Sequence, residues 1–248
     1  MSTTLRYLIL SDIHANIDAL DAVLEAAADE WDRVVVLGDL VGYGAEPNAV
    51  IDRVLELAPV AIIRGNHDKA ACGLDSGENF NQVARYAAAW TQEQLTPEHR
   101  DFLRDLPQGP TAIDERLEIC HGAPFDEDHY IFDASDAQRA LDSASRQVCV
   151  FGHTHLPVVF KATATTLSAD IPDDSLKTLA IQDATRYLIN PGSVGQPRDG
   201  DARAAYAFYD DSGRMEFVRV EYNIPAAQRR ISQAGLPQSL ANRLAIGR

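Results

Sequence analysis

The spacing of apolar residues changes period several times along this 248-residue chain. RYLIL (6 to 10), RVVVLG (33 to 38) and PVAIIRG (59 to 65) are short, almost unbroken apolar runs that read as buried strands. Between them, residues 16 to 29 set Ile17, Leu20, Val23 and Leu24 on one helical face, and residues 46 to 57 read as a helix with Pro47 near its start. Strands apolar on both faces and joined by helices pair in parallel with both faces covered, which predicts a β-α-β-α-β unit. Residues 78 to 105 carry Tyr86, Trp90, Leu95, Phe102 and Leu103 in a helical excursion, with Thr96, Pro97 and Glu98 marking a second helix start. After Pro110 the pattern shortens to strands: RLEICHG, QVCVFGH, PVVF, RYLIN, RAAYAFYD and RMEFVRVEY, the last two joined by the turn signal DSG. One helix, 135 to 144, interrupts them, and residues 161 to 185 are polar and weakly patterned, as in a loop or ragged hairpin. Beyond Pro225 two helical patterns divided by AGLP form a tail over about 225 to 248, with Arg229, Arg230 and Arg243, expected to pack on the sheet, the alternative being that it covers a functional site.

No internal repeat and no linker rich in Gly, Ser or Pro divides the chain, so residues 1 to 248 are expected to form one domain with two sheets. The net charge of −15 changes the functional picture more than the ordinary hydrophobic content of 46% does. An acidic surface repels polyanions, so phosphate chemistry would need bound cations, and long nucleic acid is disfavoured as a substrate. Cys72, Cys120 and Cys149 lack paired spacing and argue against a disulfide framework. The run LRYLIL is too short for a signal peptide, no stretch approaches bilayer-spanning length, and a cytoplasmic location is expected.

Candidate chemistry lies where the strands stop. The first ends in SDIH, the second in GD, the third in GNHD, the fourth in HG and the fifth in GHTH. Ligands of open parallel sheets bind at the carboxyl ends of strands. Singly these signals are weak: Asp12 with His14 reads equally as a helix cap, Gly38-Asp39 as a turn, and His121 as a core or rim histidine. GNHD is stronger, with an amide, an imidazole and a carboxylate behind a glycine. Residues two apart on a strand share a face, so His153 and His155 are expected to offer a pair of nitrogen ligands. Five successive strand ends that each supply oxygen or nitrogen ligands are hard to generate by chance.

In this conjunction the chain resembles the calcineurin-like metallophosphoesterases over most of its length. The family order D-x-H, G-D, G-N-H-[DE], a single His and G-H-x-H is present as Asp12/His14, Gly38/Asp39, Gly65 to Asp68, His121 and Gly152 to His155. SDIHAN, GDLVGYG, FGHTH and NPGSVGQPRDG are most similar to the small prokaryotic phosphodiesterase-like branch. The resemblance implies two packed mixed β-sheets flanked by helices, a four-layer α-β-β-α sandwich. It implies one divalent ion on Asp12, His14, Asp39 and His155 and a second on Asp39, Asn66, His121 and His153, with Asp39 bridging and a bridging hydroxide as nucleophile. Carboxylate, amide and imidazole ligands without thiolate suit Mn, Fe, Zn or Ni. By the same resemblance His67 serves the leaving group and Asp68 could fix its tautomer, though Asp68 reads equally as a helix cap. Arg64, Asn16 and Arg198 are candidate substrate contacts, Arg64 with the alternative of pairing an acid on the rim. The serine/threonine phosphatases of the superfamily carry G-D-x-V-D-R-G, whose second Asp and phosphate-clamping Arg are Gly42 and Tyr43 in this sequence. That departure favours phosphodiesters or small nucleotides over phosphoproteins, with a phosphomonoesterase or a non-catalytic scaffold of the same fold as the alternatives.

Overall fold

Alternation within β1 (Arg6–Leu10) sends Tyr7 and Ile9 to one side and Leu8 and Leu10 to the other, and all four are buried. A strand buried on both faces must be central, and in the computed structural model, which describes residues 4–173 and 175–248, it is. On one flank β1 pairs in parallel with β2 (Arg33–Val36), which pairs with β3 (Ala61–Ile62). On the other it meets the antiparallel β11 (Ala204–Asp210), followed by β12 (Arg214–Val220) and β9 (Thr178–Ala180). The second six-stranded sheet runs β4 (Thr111–Ala112), β5 (Leu117–Ile119), β6 (Val148–Val150), β10 (Arg186–Asn190), β7 (Val158–Ala162) and β8 (Leu167–Asp170). Its β5, β6 and β10 are parallel.

Each buried cluster fills one interface between layers. Tyr7, Ile9, Val35, Ala207 and Tyr209 of the first sheet meet Leu117, Ile119, Val148, Val150, Tyr187 and Ile189 of the second. The opposite face of the first sheet packs on α1 (Ile17–Ala26) and α2 (Pro47–Glu56) through Leu8, Leu10, Leu20, Val23, Val50 and Val54. The outer face of the second packs on α6 (Ala134–Ser143), where Cys149, Phe151 and Leu188 meet Ala137, Ala140 and Leu141. This is the α-β-β-α layering that the resemblance implies. All three cysteines are buried thiols, with the Cys120 and Cys149 sulfurs 3.5 Å apart.

Several elements differ from the sequence pattern. PVAIIRG narrows to the two residues of β3 because it is a sheet edge and its chain then turns inward, Arg64 N–H donating to the Pro107 carbonyl at 2.9 Å. A short helix, α3 (Asn66–Cys72), opens directly from GNHD. The polar stretch 161 to 185 contains β8 and β9, which belong to different sheets. Both are edge strands with at most one wholly buried side chain, so they carry little apolar signal. The excursion divides into α4 (Gln82–Gln94) and α5 (Pro97–Asp105), the latter capped by Thr96. The tail, α7 (Ile224–Gln233) and α8 (Gln238–Leu244), does not lie flat on the sheet. Ala227, Ile231, Leu240, Ala241 and Leu244 instead share a cluster with Ala84 and Ala87 of α4 and with Tyr43.

Candidate metal centre

The loops leaving β1, β2 and β6 are forced into left-handed backbone. Asp12, His14, Asp39, His153 and His155 have φ of 54°, 49°, 51°, 66° and 60°. A side chain in that region costs on the order of 1–3 kcal/mol, and such strain is retained at functional sites. Backbone bonds hold the loops together: His14 N–H donates to Asp39 O at 2.9 Å, Ala15 N–H to Leu40 O at 2.8 Å and Gly195 N–H to Asp12 O at 3.0 Å. Close approach also requires Gly65, where a Cβ would stand 2.1 Å from Asp39 Oδ1, and Gly152, where it would stand 2.2 Å from Ser11 Oγ. His153 and His155 do not share a strand face, because β6 ends at Val150 and both lie in the turn beyond it. The turn sends them to different clusters. Asp12, His14, Asp39 and His155 converge in one and Asp39, His121 and His153 in the other, with ligand atoms inside each within 4.8 Å of one another.

The hydrogen bonds define which nitrogens are bare. Nδ1 of His14 meets the Val41 carbonyl at 3.1 Å, Nδ1 of His155 the Gln196 carbonyl at 2.6 Å, and Nδ1 of His121 the Leu37 carbonyl at 2.8 Å. A carbonyl only accepts, so each Nδ1 carries a proton; His14 and His155 turn an Nε2 lone pair inward, and His121 does so once its Nε2 proton is lost. Nε2 of His14 and Nε2 of His155 then face each other at 3.0 Å with no proton between them. Asp39 Oδ2 lies 3.5 Å from His14 Nε2 and 3.4 Å from His121 Nε2, and Asp12 Oδ1 lies 3.4 Å from His155 Nε2. His153 is reversed: Nε2 donates to the Asp128 carbonyl at 3.1 Å, and its buried Nδ1 has no partner. Asn66 Oδ1, 3.3 Å from His121 Nε2, joins this second group. Buried lone pairs aimed at one another are a donor set for cations, and each of the two groups could hold a metal ion.

Titration follows from the same geometry. Burial holds the pKa values of His14, His153 and His155 well below the ordinary value, so all three are neutral. Against the effect of burial, Asp39 and Asp12 push His121 up to about 10. Burial, with Asp39 as a further cause, pushes Asp12 up to about 6. Burial likewise opposes ionisation of Asp39, yet His121, His67 and His14 hold it well below the usual carboxylate range.

The remaining predicted residues occupy definite positions. His67 is buried between Phe80 and Tyr43, ring centroids 4.6 and 4.3 Å away, and burial lowers its pKa to about 4. Its Nδ1 has no partner and lies against Gly42. Asp68 does not hold that nitrogen: its two oxygens accept from Val41 N–H at 3.1 Å and Gly65 N–H at 2.9 Å, tying the GNHD turn to the β2 loop. Arg64 is engaged by Glu127 through two bonds of 3.0 and 2.9 Å, the rim pairing. Asn16 caps α1 by accepting from Ala19 N–H and donates to the Gly195 carbonyl, so its amide is spent internally. Arg198 donates to Gln196 Oε1 at 3.1 Å and is near enough for its charge to act on His14, His67 and His155.

Three supports had no signal in the strand-end pattern. Tyr130 stacks on His153 at 3.8 Å between centroids, and Tyr43 lies 4.8 Å from His14. The loop at 190 to 196 is more than a tight turn. Buried Asn190 donates to the Gly152 carbonyl at 2.7 Å and to Thr154 Oγ1 at 3.1 Å, while Ser193 Oγ donates to the Asp12 carbonyl. Its glycines and asparagine were the available hint.

Comparison with known proteins agrees with this geometry. Residues 5–212 match the Calcineurin-like phosphoesterase superfamily domain. An uncharacterized protein of Methanocaldococcus jannaschii is 33% identical over 247 residues, 97% of each chain. Phosphodiesterase YfcE of Escherichia coli K12 is 26% identical over 222 residues, 84% of this chain and 88% of that one. A crystal structure of a metallophosphoesterase from Sphaerobacter thermophilus, 41% identical, covers 99% of this chain and 100% of its own with a TM-score of 0.87.

Proposed function

We propose, on the premise that this chain belongs to the calcineurin-like phosphoesterase superfamily, that it hydrolyses phosphodiesters or small nucleotides at a centre of two divalent metal ions. One observation carries the reading: bare Nε2 atoms of His14 and His155 oppose each other at 3.0 Å, while Asp39 reaches both clusters through one oxygen. Asp12, His14, Asp39 and His155 hold one ion; Asp39, Asn66, His121 and His153 hold the other. Bound there, divalent cations neutralise phosphoryl oxygens and lower the pKa of water. Manganese is the ion we would supply first, and a cytoplasmic location suits the reduced thiols.

The chain's own residues provide the rest. His67, neutral through burial, presents a ring N–H to the leaving oxygen. Arg198 brings positive charge to an otherwise acidic protein and orients the phosphoryl group. Asp68 positions His67 and Asn66 through the backbone rather than through the imidazole. Tyr43, standing where the phosphoprotein phosphatases have arginine, removes a bidentate partner for a dianion and favours diesters. The similarity to a named phosphodiesterase supports the same substrate class. The test is turnover of metal-loaded protein on bis(p-nitrophenyl) phosphate against p-nitrophenyl phosphate. A higher kcat/KM on the diester is expected, and preference for the monoester would replace this reading with a phosphatase.

A further inference from the structure

Three rings lead from the metal centre to the surface. His153 is buried, Tyr130 stacks on it with 3.8 Å between centroids, and Phe132 stands parallel to Tyr130 within 5° at 5.3 Å. Exposure rises along the series, from 3% at His153 to 41% at Tyr130 and 63% at Phe132. Burial raises the pKa of Tyr130, and Arg198, Asp39 and Asp12 all stand near enough for their charges to act on its phenol. The inner ring of the exposed pair therefore borders the ligand cluster, while the outer ring faces water.

The core does not require this pair. Ile131, between them, is the residue that enters it, 2% exposed and in one cluster with Cys149, Phe151 and Ala137. A polar side chain at position 132 would serve the fold equally. The stretch is also braced on both sides. His153 Nε2 donates to the Asp128 carbonyl at 3.1 Å, Phe132 N–H donates to Asp136 Oδ2 at 3.3 Å, and Asp133 caps α6 by accepting from the Ser135 and Asp136 amides. Lys69 meets Glu127 at 3.0 Å and Asp128 at 2.6 Å, so a cation matches the acids of this loop. A single exposed apolar residue is ordinary, whereas two parallel rings fixed on a braced loop beside a ligand cluster form a platform with an open π-face.

A flat ring system completes such a stack, since aromatic pairs favour offset parallel contact and every nucleobase has a π-face. His153 belongs to the second ligand group, so the organic part of an ester held there is within reach of Tyr130. Stacking needs no counter-ion, which suits a chain of net charge −15. We infer that Tyr130 and Phe132 form a nucleobase platform, so that the substrate is a nucleotide held by its phosphate at the ligand cluster and by its base on this pair. This rests on the phosphoesterase reading for the group at the cluster and narrows its substrates from phosphodiesters in general to nucleotides.

The test uses binding, so it survives a loss of turnover. Isothermal titration of the full-length, manganese-loaded protein would compare the 5′-phosphonate isosteres of adenosine monophosphate and of ribose 5-phosphate. In both a carbon replaces the ester oxygen, so neither is hydrolysed, and they differ only by the base. The wild type is expected to bind the nucleotide isostere at least about 5-fold more tightly, and F132A to lose most of that advantage while its affinity for the ribose isostere is unchanged. F132W, which keeps a π-face, should retain the advantage. Y86A removes an exposed ring from α4 and should retain it too. Melting temperatures verify that the variants are folded. Equal affinities in the wild type, no binding of either ligand, or an advantage that persists in folded F132A would overturn the platform. If the advantage depends on Phe132 while no phosphate ester is turned over, the hydrolase reading fails and the platform stands.

Discussion

Asn190 offers a sharp test of how the ligand loop is held. Fully buried, it donates to the Gly152 carbonyl at 2.7 Å and Thr154 Oγ1 at 3.1 Å, and its Oδ1 accepts from Gly192 N–H at 2.8 Å. Asn190→Ala leaves the Gly192 amide buried and unpaired, at about 1–3 kcal/mol. The Gly152 carbonyl keeps a bond from Thr154 N–H at 2.7 Å, so the two donated bonds are worth only about 0.5–1.5 kcal/mol each. The expected loss is about 2–6 kcal/mol of folding stability. Because this amide braces the turn carrying His153 and His155, metal affinity should fall by about 10- to 100-fold as well. Urea denaturation of stripped protein reads the first effect, and competition with a chromophoric chelator reads the second. Stability within 0.5 kcal/mol of wild type on the order of measurement error, together with unchanged affinity, would refute the reasoning.

Asp39→Ala should lose both ions, as metal analysis of the purified variant would show, and retention of two would contradict a shared ligand. His67→Ala should keep its metal content while turnover falls about 10²- to 10⁴-fold, and full activity would rule out its role at the leaving oxygen. Metal loading should release protons, because His121 at about 10 and Asp12 at about 6 hold protons that a cation displaces. Affinity should therefore decline as pH falls and drop further below about 6, when Asp12 also protonates; titration in two buffers of different ionisation enthalpy reads the release. Ala58, exposed just past the end of α2 with φ of 46°, occupies a left-handed position that favours glycine. Ala58→Gly should add about 0.5–1 kcal/mol, measured by thermal unfolding.

The layers were legible because buried strands write themselves as runs such as RYLIL and VCV, and the site because each run stops at a ligand type. Amphipathic helices α1, α2 and α6 showed in their spacing. Edge strands did not: Leu167–Asp170 and Thr178–Ala180 gain stability from backbone pairing while their side chains stay largely wet, which leaves polar letters. Strand alternation also misplaced His153 and His155, since period-two reasoning stops applying where φ turns positive. Arg243 was legible only as one of three tail arginines. Its placement depends on how α8 docks against α4 and Tyr43, a long-range arrangement that no local pattern encodes.

The facing imidazoles of His14 and His155 are 141 positions apart in the chain. Contacts of such sequence separation form late, after the slow closure of long loops. A nascent polypeptide still missing its second sheet therefore lacks His153 and His155, and under the proposed function metallation would follow synthesis rather than guide it. Any ion the site takes would then be captured by a cage already assembled, not by the growing chain.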